Sequence, residues 1–144
     1  MNHVKTAQTN FPVNDLIKQR WSPRAFDKER QLSSESILSL LEAARWTASS
    51  SNQQPWRFIV GSKAHNPSTY DKLLETLMDG NKLWAKDAPV LMIGVASKIN
   101  KKGNPNGHAR YDLGQAVSMM TMQALSMDIY AHQMGGFFPD KAAE

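Results

Sequence analysis

The longest apolar run, residues 88–96, most constrains what this chain can fold into. It is far short of the about 20 residues a helix needs to cross a membrane, and it contains a proline and a glycine. Residues 90–95, Val-Leu-Met-Ile-Gly-Val, read as a strand whose continuous apolar character implies burial on both faces.

The segments before it read as helices and one more strand. Residues 11–18 are a short helical stretch with Asn10 or Asn14 as cap. Ser33 is an N-cap for an amphipathic helix over residues 34–46, with Glu35 in the first turn, where the helix dipole favours acid. Ile37, Leu38, Leu41 and Ala44 follow at helical spacing. The polar run 47–54 breaks that pattern, and residues 57–61 read as a strand. A helix is expected over 68–78 with Ser68 as cap, ended by Asp79-Gly80-Asn81.

Beyond the apolar strand, residues 97–107 carry the strongest loop signal in the chain. Such composition fits a mobile solvated loop, and a lid over a ligand site is the sharper alternative. The longest helix is expected over 111–130. Leu113, Val117, Met120, Ala124 and Met127 repeat by fours and threes, as in a core seam or a helix–helix interface. Pro139 and Asp140 then resemble a first helical turn, and an interrupted helix there leads us to expect a C-terminally shortened chain.

With 144 residues, one domain spanning 1–144 is expected. The net charge of +4 is dispersed, which suits anionic ligands better than a nucleic-acid surface. The absence of cysteine excludes disulfides, thiolate nucleophiles and cysteine-ligated metals. His3, His65, His108 and His132 stand at no ligand spacing, so no metal site is expected. The N-terminal stretch is polar and reads as no signal peptide, which points to a cytoplasmic setting without membrane contact.

One segment has the makings of an anion clamp. In Arg20-Trp21-Ser22-Pro23-Arg24, Pro23 denies helical geometry and favours an extended chain. Alternating residues of an extended chain share a side, so Arg20, Ser22 and Arg24 can converge on one phosphate. A solvated basic loop or a kinase substrate site are the plainer readings of those five residues. Neither of the two standard glycine-rich phosphate cradles is present, and no Gly-x-Ser-x-Gly elbow. The polar run offers Ser49, Ser50, Asn52 and Gln54 as donors and acceptors, or is an ordinary turn. Gly135 and Gly136 either expose backbone N–H groups to a ligand or cap the long helix.

Read together and in order, these stretches resemble the FMN-dependent nitroreductase family. The resemblance rests on Arg20-x-Ser22-x-Arg24-Ala25-Phe26, a Leu-Ser-x-Glu helix start and Ser-Ser-x-Asn52-x-Gln54-Pro55-Trp56-x-Phe58. Ala88-Pro89-Val90, Asp112-x-Gly114 and Gly135-Gly136-Phe137 add to it. It implies an α+β fold, a mixed β-sheet flanked by helices with a long central helix, lacking its C-terminal part here. It implies FMN as cofactor, with NADH or NADPH as electron donor. Hydride would pass through flavin N5 to a nitroaromatic, quinone or similar small-molecule acceptor in a ping-pong cycle.

Carried over residue by residue, the resemblance puts Arg20, Ser22 and Arg24 on the FMN phosphate and ribityl end, with the Trp21 backbone assisting. Ala48 and Ser49 would lie against the flavin, and Asn52 would reach the ring or ribityl chain. Met134, Gly135 and Gly136 would face the isoalloxazine edge. No catalytic side chain is implied, because the cofactor does the redox work. A homodimer with FMN between the subunits is implied as well. A non-catalytic flavin- or nucleotide-binding protein and a basic nucleic-acid-binding module stand as the alternatives.

Overall fold

A computed structural model describes residues 5–144; His3 and the start of the polar N-terminal stretch lie outside them. Helix α1 spans Asp15–Gln19, capped by Asn14, whose Oδ1 accepts from the Leu16 N–H at 2.9 Å. It is shorter than expected because Asn14, not Asn10, supplies the cap. Helix α2 spans Ser34–Arg45, and Ser33 Oγ accepts from the Ser36 N–H at 3.1 Å. Its buried stripe is Ile37, Leu40 and Ala44.

Strand β1 spans Trp56–Ser62 and β2 spans Val90–Ala96. They pair antiparallel in a register that sets Trp56 opposite Ala96 and Ser62 opposite Val90. Among the described residues these two strands form the sheet. That corrects the expectation for residues 90–95: only Leu91 of the strand is buried, and Gly94 and Val95 are exposed. Uniform apolarity here marks a strand beside a large open cleft, not one covered on both faces.

Between the strands lie α3 (Pro67–Glu75) and α4 (Asp79–Ala85). Proline opens α3 at a position where no N–H is required. Ser68 is therefore inside the helix and is not its cap, while Asn66 Oδ1 accepts from the Ser62 N–H. Helix α4 begins where a stop was expected. Its start is held from far along the chain, by the Gly136 carbonyl, which accepts from the Met78 N–H at 3.0 Å and Asn81 Nδ2 at 3.0 Å.

Helix α5 spans Ala109–Ser126, and α6 spans Pro139–Ala143. The long helix ends before residue 130 because Asp128 turns left-handed, at φ 55°. Its buried face is made of small residues: Ala109, Ala116, Thr121 and Ala124, with Leu125 and Asp112. Ala44 of α2 and Ala116 of α5 are both nearly inaccessible and pack with Trp56, so two backbones approach closely there. Of the expected seam Ala124 is buried, while Leu113, Val117, Met120 and Met127 are half-buried and the first three line the cleft.

A second cluster gathers Tyr70, Leu73, Leu77, Ala85 and Leu91, with Trp84, Met134 and Phe137 against it. Gly61 makes this packing attainable: a methyl group there would lie 2.6 Å from Tyr70 Cα and 2.8 Å from its N. The 97–107 segment is a small ordered turn. Asn100 Oδ1 accepts from the N–H groups of Lys102 (2.9 Å) and Asn104 (3.0 Å), and Ile99 bridges Pro105. No helix is long and apolar enough among the described residues to cross a membrane.

Candidate functional site

The clamp segment follows α1 directly, since the Arg20 N–H still bonds to the Ile17 carbonyl at 3.3 Å while its φ and ψ are already extended. The alternation dictated by an extended chain is visible in what each residue meets. Trp21, Pro23 and Ala25 line the cleft. Arg20, Ser22 and Arg24 are exposed and do not line it. Arg20 Nη1 donates to Ser22 Oγ at 3.3 Å, so a guanidinium and a hydroxyl stand together. Arg24 takes a separate course, with its guanidinium carbon 6.0 Å from the Trp84 ring centre.

Two aromatic groups brace the segment from behind. Trp21 meets Tyr130 edge-on at 6.3 Å, and Trp84 stacks with Phe26 at 6.3 Å. His132 lies 4.4 Å from the Trp84 ring, and its Nδ1 donates to the Pro23 carbonyl at 2.9 Å. A carbonyl only accepts, so that bond assigns the proton to Nδ1. The 129–134 stretch is thereby tied to the clamp, a link that no spacing in the sequence signals.

The cleft itself has a volume of about 720 Å³ and is mostly apolar. Its wall runs from Trp21 and Pro23 through Trp84, Val117 and Met120 to His132 and Met134. Met134 packs on the Tyr70 cluster. Gly135 is exposed, and its carbonyl accepts from the Phe137 N–H at 3.1 Å. At Gly136 a side chain would meet Asn81 Nδ2, so glycine there serves the contact with α4.

The second group of expected site residues lies on the turn between α2 and β1. Ala48 and Asn52 are exposed, and Ser49 is half-buried, with its Oγ accepting from the Gln54 N–H at 2.9 Å. Ser51, Asn52 and Gln54 all have positive φ, at 50°, 51° and 47°. None of Ala48, Ser49 and Asn52 lines the cleft. The structure thus brings Trp21 and Met134 to one wall and leaves the 48–52 turn elsewhere. Beneath that turn is a residue that the sequence offered only as part of a helix-start motif, the buried Asp112. No group of three or more histidine, aspartate or glutamate side chains able to hold a metal occurs among the described residues.

A helical α+β domain with an exposed Arg–Ser pair and a polar left-handed turn is the class that these elements define. The profile of the Nitroreductase family matches residues 17–144, and the chain belongs to that family. A crystal structure of an oxidoreductase containing FMN superposes with a TM-score of 0.89 at 37% identity, covering 99% of this chain and 73% of that one. A nitroreductase-type protein from Desulfovibrio desulfuricans, solved in complex with FMN, gives 0.73 at 27% identity, over 94% and 74% of the two chains. The major NAD(P)H-flavin oxidoreductase of Aliivibrio fischeri is 41% identical over 49 residues, which is 34% of this chain and 22% of that protein.

Proposed function

We propose that this chain binds FMN and acts as an NAD(P)H-dependent oxidoreductase on a nitroaromatic, quinone or similar small electrophile. The observation that carries the reading is the exposed Arg20–Ser22 pair at 3.3 Å, on an extended segment, in a member of this family. A forked cation beside a hydroxyl matches the bidentate and single acceptors of a phosphate monoester. The donor set therefore fits the phosphate end of FMN.

When bound, FMN would accept hydride from NADH or NADPH and deliver it to the electrophile. The chain's own work is binding and orientation. Arg20 and Ser22 hold the phosphate, and Arg24 swings from Trp84 to join them. Ser49 and Asn52 offer polar contacts to the ribityl chain or ring, with Ala48 against its face. Backbone groups of Gly135 and Gly136, next to Met134, meet the ring edge. The separation of the 48–52 turn from the cleft that Trp21 and Met134 line supports a homodimer, in which one subunit supplies the clamp and its partner the turn.

The test is the visible spectrum of the purified chain with added FMN after gel filtration, followed by rapid mixing with NADPH or NADH. A retained flavin band that bleaches on mixing, at the mass of a dimer, is the expected result. A colourless protein that quenches no flavin fluorescence overturns the reading. A flavin band that no nicotinamide bleaches leaves a binding protein without turnover.

A further inference from the structure

The turn that would meet the flavin is built from residues that do not favour its backbone. Left-handed geometry is unfavourable at Ser51 and Gln54, while asparagine at position 52 tolerates it, and such strain persists only where the surroundings over-determine it. Arg57 Nη1 donates to the Gln54 carbonyl at 3.2 Å, and three more contacts hold this turn at its edges. Ser49 Oγ closes it on the Gln54 N–H at 2.9 Å, the Ser97 N–H fixes Pro55 through its carbonyl at 2.7 Å, and Gln53 Oε1 accepts from the Lys101 N–H at 3.4 Å. The Lys101 and Arg57 contacts are exposed, and the Ser49 contact is part-buried.

From the core side the turn has a different support. Asp112 lies in the first turn of α5 and is 2% exposed, and its Oδ2 accepts from the Ser50 N–H at 3.2 Å. A carboxylate in that place costs a great deal of solvation, and the helix N-terminus offsets part of it. Its one hydrogen bond to another element goes to the residue that opens the left-handed run. Nothing in the packing of α5 on α2, which rests on alanines, requires a carboxylate there.

We propose that Asp112 is a positioning residue for the flavin site: through Ser50 it fixes the left-handed turn that presents Ser49 and Asn52. This inference rests on the FMN reading above. Asp112 does not touch the cofactor, and its effect passes through the backbone of residues 50–54.

The test compares D112L and D112N with the unaltered chain, each reconstituted with FMN and each also studied flavin-free. In D112L the acceptor is lost and the branched outline of the side chain is kept, with methyl groups bulkier than the oxygens they replace. FMN affinity should fall about tenfold or more, as for a backbone donor left unpaired. The visible band of bound flavin should shift, and amide exchange should accelerate over residues 50–54 but not in β1 or α2. D112N keeps a neutral acceptor, so it should lose about threefold in affinity, with a smaller acceleration confined to the same residues. Should D112L fail to fold, D112N decides alone. Unchanged affinity and exchange in D112N, or exchange accelerated equally through β1 and α2, overturns the inference. Failure of the unaltered chain to bind FMN overturns the FMN reading itself and is seen before any variant is made.

Discussion

The hydroxyl of Tyr70 donates to the carbonyl oxygen of Ala88 at 2.8 Å, with the carbonyls of Lys86 (3.1 Å) and Ala85 (3.3 Å) also in reach. One buried group on α3 thereby meets the C-terminal end of α4 and the entry into β2. Burial, with the nearby Asp87 and Asp71 carboxylates, pushes its pKa up to about 12. Tyr70→Phe should cost about 1–2 kcal/mol near neutral pH, as a buried acceptor set loses its donor. The folded state holds this proton more tightly than the unfolded chain, whose tyrosine titrates at its ordinary value of about 10. Stability from Tyr70 is therefore complete below pH 10 and declines as pH rises towards 12. Urea melts at pH 8 and 11 check both points: the alkaline loss should be smaller in the variant.

At Gly61 the constraint is space. An added methyl group meets Tyr70 Cα at 2.6 Å and N at 2.8 Å, both main-chain atoms that cannot swing aside. Gly61→Ala should destabilise the protein by about 1–3 kcal/mol, the usual range for overpacking. A thermal melt unchanged within error would show that α3 shifts freely over β1.

Glu42 on α2 is held well below its usual range, to about 2, chiefly by hydrogen bonds from Arg45 and then from Trp46. Trp46 Nε1 donates to its Oε1 at 2.9 Å, and Arg45 Nε to its Oε2 at 2.9 Å. A carboxyl-detected NMR titration should show this midpoint low and rising in Arg45→Ala. Its contribution to stability is present above the ordinary glutamate pKa and is lost as pH falls towards 2. Both groups are solvent-exposed, so the shift should shrink in high salt.

Arg20→Ala should weaken FMN binding by about 10- to 100-fold, the scale of a lost charge-assisted pair. Because Arg20 is exposed, the melting temperature of the flavin-free protein should not move. Flavin fluorescence quenching measures the first and calorimetry the second; equal affinity in both proteins would remove Arg20 from the site.

Much of the architecture was legible where local signals and tertiary packing agree. Ser33 caps α2 because a hydroxyl precedes an amphipathic run, and Pro55 and Pro89 stand directly before the two strands, whereas Gly61, expected to end the first, lies inside it. The start of α4 was not legible, because its partner is the Gly136 carbonyl, far along the chain. Period alone found only part of the buried face of α5: Ala124 is buried, the large side chains Leu113, Val117 and Met120 border an open cleft, and alanines make the tight contact with α2. The polar composition of residues 47–54 marked a turn but could not show three left-handed residues in it. Nor does a lone aspartate at a helix start show that it is buried. The clamp's alternation was legible because extended geometry leaves few options, whereas Arg24's position over Trp84 depends on a ring placed by α4.

The pairing of β1 with β2 has a kinetic consequence. The strands are antiparallel neighbours, yet residues 63–89 and two helices intervene, so no tight turn can start the ladder. Zipping must wait until the helical insert has brought Val90 back beside Ser62. Closing so long a loop before any strand contact rewards it slows folding. Loosening the Tyr70 tie between α3 and β2 should therefore slow sheet formation as well as weaken the finished fold.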